Sequence, residues 1–219
     1  MSTQSPKPRV GLLFDEKNRW IYEFLGDLSW AEPVSNRVDL HALWEVPEAQ
    51  GFDLLFILGY TRILPAAQLQ SIGLSLVIHE SALPQGRGFS PVQWQILEGK
   101  NVIPVCLIEA AADADAGDIF ATTTIQLEGH ELLPEIRALQ AAATKTLILK
   151  FLTDYPNVTR VPQQGIASTY RRRTAHDDIL DPDKSLREQF NHLRIAHNEL
   201  YPARLIMNGI EYKLRISKD

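Results

Sequence analysis

His79 closes the apolar run Leu76-Val77-Ile78 and is followed at once by Glu80-Ser81-Ala82-Leu83-Pro84-Gln85-Gly86-Arg87-Gly88. An imidazole titrates near neutrality, so it can donate or shuttle a proton at a reacting group. Further along, Asp115-Ala116-Gly117-Asp118 places carboxylates on a turn. A carboxylate beside an imidazole favours the protonated ring, which steadies negative charge developing on an oxygen, and it can also accept a proton. The run Arg171-Arg172-Arg173 adds forked cations suited to phosphate oxygens, although three consecutive arginines also suit a solvated basic loop.

The remaining histidines, His41, His130, His176, His192 and His197, form no H-E-x-x-H pair, and Cys106 is the only cysteine. A tetrahedral metal site would have to be assembled from scattered residues, so no metal is expected. Between Val105 and Leu107, Cys106 reads as a buried strand thiol and not as a nucleophile.

These residues need elements to position them. Arg9 to Phe14 is an apolar run before the polar turn Asp15-Glu16-Lys17-Asn18, and Trp20 to Leu28 then has helical spacing. Leu54 to Leu58 and Leu76 to Ile78 are continuous apolar runs, as in strands covered on both faces of a parallel sheet. Leu64 to Ile72 suits a crossover helix between them. Pro91 to Leu97 reads as a helix with Ser90 as its N-cap. Val102 to Ile108 and Ile119 to Leu127 read as strands, and His130 to Tyr155 as a long Ala/Leu-rich helix. The pattern is α/β, and it puts His79 at a strand's carboxyl end, where open α/β sheets bind ligands. Beyond Pro156 periodicity fades; Leu186 to Asn198 then reads as a short helix, and Arg204 to Ile216 as a hairpin around Asn208-Gly209.

With 219 residues and 45% hydrophobic composition, the chain can bury a substantial core. A net charge of −5 argues against a protein that coats nucleic acid, which needs a dominant basic field. The opening residues are polar and Pro-broken, and no segment is apolar enough to span a bilayer, so a cytoplasmic protein without a membrane partner is expected. The first loop lacks the glycines of a dinucleotide fingerprint, and neither a P-loop nor a G-x-S-x-G elbow is present.

Leu83-Pro84, Gly86-Arg87-Gly88 and Pro91-Val92-Gln93-Trp94, together with Asp115-Ala116-Gly117-Asp118, resemble the signature loops of the folate-dependent formyltransferases. Phe56-Ile57-Leu58-Gly59-Tyr60, Trp94 to Asn101, Arg171 to Thr174, Phe190-x-x-Leu193-Arg194 and Tyr201-Pro202-Ala203 extend the resemblance over nearly the whole chain. Within the family the chain looks most like the pseudaminic-acid-pathway enzymes that formylate UDP-4-amino-4,6-dideoxy sugars. The resemblance implies a Rossmann-like α/β fold, with a mostly parallel twisted sheet flanked by helices and a short C-terminal helix and β-hairpin. It implies a catalytic domain over 1–155 and an extension over 156–219 that completes a sugar-nucleotide site. The tRNA-directed members carry a separate C-terminal barrel, for which this chain looks too short.

The implied activity is transfer of a formyl group from 10-formyltetrahydrofolate, the co-substrate, to the primary amine of a nucleotide-linked amino sugar, feeding lipopolysaccharide or O-antigen synthesis. His79 and Asp115 would be catalytic, with Asp118 orienting the turn. The folate is expected against Leu83, Pro84, Ala112 and Ala114. The sugar nucleotide is expected against Arg171, Arg172, Arg173, Trp20 and Tyr60. One position departs from the family pattern: Val77 stands where many members have an asparagine that holds the formyl oxygen. Its replacement is open between a backbone N–H, Ser75, which shares a strand face with His79, and Asn18 or Asn101. Alternatives to the sugar reading are formylation of another amine, such as a glycinamide nucleotide or a carrier-bound amino acid, hydrolysis of the formyl donor, or ligand binding without catalysis. A homodimer through the hairpin is also left open.

Overall fold

The structure is a computed structural model that describes residues 6–48 and 51–219; residues 1–5, read above for their polarity, lie outside it. Strand β1 (Arg9–Leu13) leads through a turn capped by the Asp15 carboxylate, which accepts from the Lys17 N–H at 3.0 Å, into helix α1 (Trp20–Leu25). The helix stops at Gly26, short of the expected Leu28, and a 3-10 stretch over Leu28–Val34 containing Pro33 takes its place. Strand β2 (Asp39–Leu43) has no counterpart in the sequence reading, because its residues are only half-buried and follow no clear alternation. Then come β3 (Leu54–Ile57), α2 (Ala66–Ser71), β4 (Leu74–His79), the short β5 (Arg87–Gly88), α3 (Pro91–Leu97), β6 (Val102–Glu109), β7 (Ile119–Gln126) and the 22-residue α4 (Leu133–Asp154).

Six strands form one sheet in the order β2-β1-β3-β4-β6-β7. The first four are parallel, β6 runs against β4 and β7 runs against β6, so five of the six point the same way. This is a Rossmann-like α/β fold with a mostly parallel sheet. The continuous apolar runs of β1, β3 and β4 are buried on both faces, as their lack of alternation requires. On one face α1, α3 and α4 enclose Leu12, Phe56, Leu76, Ile103, Leu147 and Phe151, none more than 2% exposed. Pro104 is tolerated inside β6 because β4 pairs only with Cys106–Glu109, so the missing N–H leaves no gap in the β4 ladder.

After α4 the chain makes β8 (Thr169–Tyr170), β9 (Ile179–Leu180), α5 (Phe190–Arg194), β10 (Ala203–Met207) and β11 (Ile210–Leu214). The hairpin turns on Asn208 and Gly209, both at positive φ (51° and 77°), as a type I′ turn demands. Helix α5 is far shorter than the Leu186–Asn198 expected. Ahead of it, the Gln189 amide donates to the carbonyls of Asp181 and Lys184, and Ser185 bonds Glu188, so side chains hold a loop where helix bonds would otherwise form. Among the described residues no helix is long and apolar enough to cross a membrane.

Candidate active site

His79 is the last residue of β4 and is 5% exposed. The loop after it folds back through Gly86 and Gly88, at φ of 72° and 99°. A Cβ on Gly88 would stand 2.4 Å from the Tyr170 carbonyl, so only glycine permits this approach to β8. The loop thereby brings the Gly86 carbonyl to 2.8 Å from His79 Nε2 and the Gly88 N–H to 2.8 Å from Asp115 Oδ2. Ser90 does not cap α3 as expected: it occupies the left-handed region at φ 52°, which turns its hydroxyl from the helix N–H groups.

Asp115 also takes a left-handed backbone, at φ 53°, in the turn between β6 and β7. Its Oδ1 lies 3.4 Å from His79 Nδ1, with the two side chains 15% and 6% exposed. Both carboxylate oxygens of Asp115 therefore face protein groups. The imidazole lies between a carbonyl at Nε2 and a carboxylate at Nδ1, both of which only accept. Gln163 braces the turn: its Nε2 donates to the carbonyls of Asp115 at 2.7 Å and Gly117 at 2.9 Å, while its Oε1 accepts from Arg87 at 2.5 Å.

A cleft of about 760 Å³ opens at the carboxyl edge of the parallel strands, beside this pair. Part of the lining is apolar, with Ile57, Leu64, Leu69, Val77, Ile108 and Ala110. Arginines make another part basic: Arg137 from α4 and Arg172, Arg173 and Arg204 from the C-terminal segment. Arg173 pairs with Asp178 and Arg204 with Glu211, each with a buried Nε that has no acceptor. The Arg172 guanidinium rests on the Phe89 ring at 4.1 Å, and among the described residues no carboxylate pairs with it.

Of the expected residues, His79, Asp115, Ala114, Trp20, Tyr60, Arg172 and Arg173 line this cleft together. Others do not. Ser75, expected as a possible oxyanion donor, lies four residues down β4, about 13 Å from His79 at strand rise, outside the lining. Leu83 packs on Cys106 and Ile108, and the Pro84 carbonyl accepts from the Ser168 N–H at 3.2 Å, so neither faces the cleft. Ala112 is exposed outside the lining. Arg171 is held by Asp177 at 2.8 Å and over the Trp94 ring, away from the cleft. Asn101 accepts from Arg194 at 3.3 Å and is also outside. Asn18 lines the cleft, but its amide donates to the Gly59 carbonyl at 2.5 Å.

The structure adds Glu80, Gln140, Arg137, Arg204 and Gln163 to the residues singled out from sequence. Burial pushes the Glu80 carboxyl above the ordinary range, and neighbouring His79 offsets only part of this. Burial likewise raises Asp178, partly offset by Arg173, and it raises the Cys106 thiol. No spacing marks Gln163, which sits in an aperiodic stretch. Arg204 and Glu80 are visible only as charges at the ends of predicted strands.

An open α/β sheet with a His–Asp pair and a cleft at its carboxyl edge defines a Rossmann-like protein with its site at the usual ligand-binding edge. The chain belongs to the formyl transferase family, whose profile matches residues 14–150. It is 28% identical over 169 residues to a methionyl-tRNA formyltransferase of Streptococcus equi subsp. equi, covering 76% of this chain and 54% of that protein. The chain thus spans about half the length of that curated relative. Its fold is similar to that of HypX from Aquifex aeolicus in complex with tetrahydrofolic acid (TM-score 0.76, 17% identity, 96% of this chain and 38% of that one). It is also similar to a 4-N formyltransferase from Francisella tularensis (TM-score 0.71, 17% identity, 97% and 98% covered).

Proposed function

We propose that this protein is a 10-formyltetrahydrofolate-dependent N-formyltransferase acting on the primary amine of a nucleotide-linked amino-deoxy sugar, a UDP-4-amino-4,6-dideoxy sugar of a pseudaminic-acid type of pathway. The observation that carries the reading is the His79–Asp115 pair at 3.4 Å in a cleft lined by both apolar side chains and arginines. The donor, when bound, supplies an activated formyl group, and the apolar lining at Val77, Ile108 and Ala114 would pack against its ring system. His79 would steady negative charge on the formyl oxygen by turning its Nε2 hydrogen bond from the Gly86 carbonyl to that oxygen. Asp115 would orient the ring, held in turn by Gly88 and Gln163.

The cleft arginines suit a pyrophosphate, since a guanidinium engages phosphate oxygens in pairs. Arg172, Arg173 and Arg204 all come from 156–219, which supports an extension that completes a site begun by the catalytic domain over 1–155. The names of the curated relatives support a second reading, with the amine of an aminoacyl-tRNA as acceptor.

Both readings are tested in one assay. The protein is mixed with 10-formyltetrahydrofolate and UDP- or dTDP-linked 3-amino and 4-amino dideoxy sugars or initiator methionyl-tRNA, and products are weighed. A gain of about 28 daltons, the formyl increment, on an amino sugar is the expected result. Formylation of the tRNA alone would replace the sugar reading with the second one, and donor breakdown independent of any amine would remove both.

A further inference from the structure

We propose that Glu80 and Gln140 form the acceptor-amine subsite of this cleft, in which the Glu80 carboxylate holds the incoming ammonium group and removes its first proton. The inference deepens the amine-formylation reading and rests on it.

Asp115 is poorly placed for that first proton. One of its oxygens accepts from the Gly88 N–H at 2.8 Å and the other faces His79 Nδ1 at 3.4 Å, so an ammonium would have to displace one of them. Glu80, adjacent to His79, is differently equipped. Its Oε1 accepts a long bond from Gln140 Nε2 at 3.2 Å, and apart from its own backbone N–H no further donor reaches the carboxylate among the described residues. Gln140 is 6% exposed, and its own Oε1 is buried with no partner among the described residues. A buried carbonyl oxygen left without a donor costs free energy that a bound ligand recovers.

Both side chains line the cleft. The acceptors they offer the cleft are the buried, unpartnered Gln140 Oε1 and the carboxylate of Glu80, so the complementary group is a cation with several N–H bonds. A primary ammonium fits; a phosphate or carboxylate would be repelled. The charged groups facing Glu80 are His79 from β4 and Asp115 from the turn after β6, and Arg137 stands one turn before Gln140 on α4. The same burial that raises the Glu80 carboxyl disfavours an ammonium, so proton transfer between them to a neutral pair is eased.

In the step itself, an N–H bond of the ammonium breaks, its electron pair stays on nitrogen, and an O–H bond forms on Glu80. The freed pair makes the new C–N bond to the formyl carbon while the donor's C–N bond breaks. The second amine proton ends on the donor nitrogen, and Glu80 releases the first to solvent.

The test is calorimetric binding of UDP-4-amino-4,6-dideoxyglucose and of its 4-hydroxy counterpart to the full chain and to Glu80→Gln and Gln140→Ala, with melting curves to verify folding. The wild type is expected to favour the amine by about tenfold, the worth of one charge-assisted hydrogen bond. Glu80→Gln should erase the preference and leave the hydroxy sugar's affinity unchanged, with turnover reduced about a hundredfold or more, as loss of a general base predicts. Gln140→Ala should weaken the preference without abolishing it. If the amine preference and turnover survive in Glu80→Gln, the subsite is wrong while the formyltransferase reading stands. If the wild type binds neither sugar, the sugar reading fails and this inference fails with it.

Discussion

His79 stands between two acceptors, each with its own tether: Gly86 through a loop that only glycine can follow, and Asp115 through a turn braced by Gln163. If this geometry performs the chemistry, His79→Ala or Asp115→Asn should lower kcat by about a hundredfold or more while the melting curve stays close to wild type, because each side chain lies at the cleft edge and not in the core. Near-normal turnover in either variant would remove the assignment. Gln163 touches Asp115 only through the backbone carbonyl. Gln163→Ala should therefore reduce kcat by about tenfold with KM for the formyl donor little changed, the mark of a positioning residue. A pure KM effect would place Gln163 in the binding surface instead.

At the level of elements, the C-terminal segment is tied down in two places. Between Val161 and Tyr170 it straps across the His79 loop: Arg87 N–H donates to the Ser168 carbonyl at 2.9 Å, Gly86 N–H to Ser168 Oγ at 2.9 Å, and Val161 bridges Ile119. From α5, Arg194 is 1% exposed and reaches the residues before α4, donating to the Glu131 carbonyl at 3.0 Å and to its carboxylate at 2.6 Å. Arg194→Met fills similar space but leaves Glu131 buried without its cation, which costs about 3 kcal/mol. The expected readout is a lower urea midpoint with an unchanged slope. A change below about 0.5 kcal/mol would mean that Glu131 is satisfied by the backbone N–H groups of Glu128 and Gly129 alone.

Over the whole molecule, acid should loosen the segment that carries Arg172, Arg173 and Arg204 of the cleft. The Arg171 guanidinium and the Thr174 backbone hold the Asp177 carboxyl well below its usual 3.8. A depressed carboxyl contributes stability that is present above its unfolded pKa and lost as pH falls through the folded one. The wild type should therefore lose melting temperature as the pH falls below about 4 more steeply than Asp177→Asn, whose side chain does not titrate there. Parallel losses in the two proteins would assign the acid sensitivity elsewhere.

The features legible along the chain are local. Apolar runs of β1, β3 and β4, the length of α4, the Asn208-Gly209 turn and the position of His79 at a strand's end follow from periodicity and turn chemistry, which act over a few residues. The Asp115 turn and the loop glycines were legible through resemblance of short motifs. Which distant groups meet emerges with folding: β6 reverses direction beside β4, Leu83 and Pro84 turn from the cleft, and Ser75 lies too far along its strand to serve His79. Gln163 from an aperiodic loop reaches Asp115, and Gln140 from α4 reaches Glu80. Such pairings depend on how closed surfaces pack across the sheet, and no repeat along the chain encodes them. For that reason the residue beside His79 carries its meaning in its surroundings: Glu80 is one more charge in the sequence, and a half-satisfied acceptor facing the cleft in the fold.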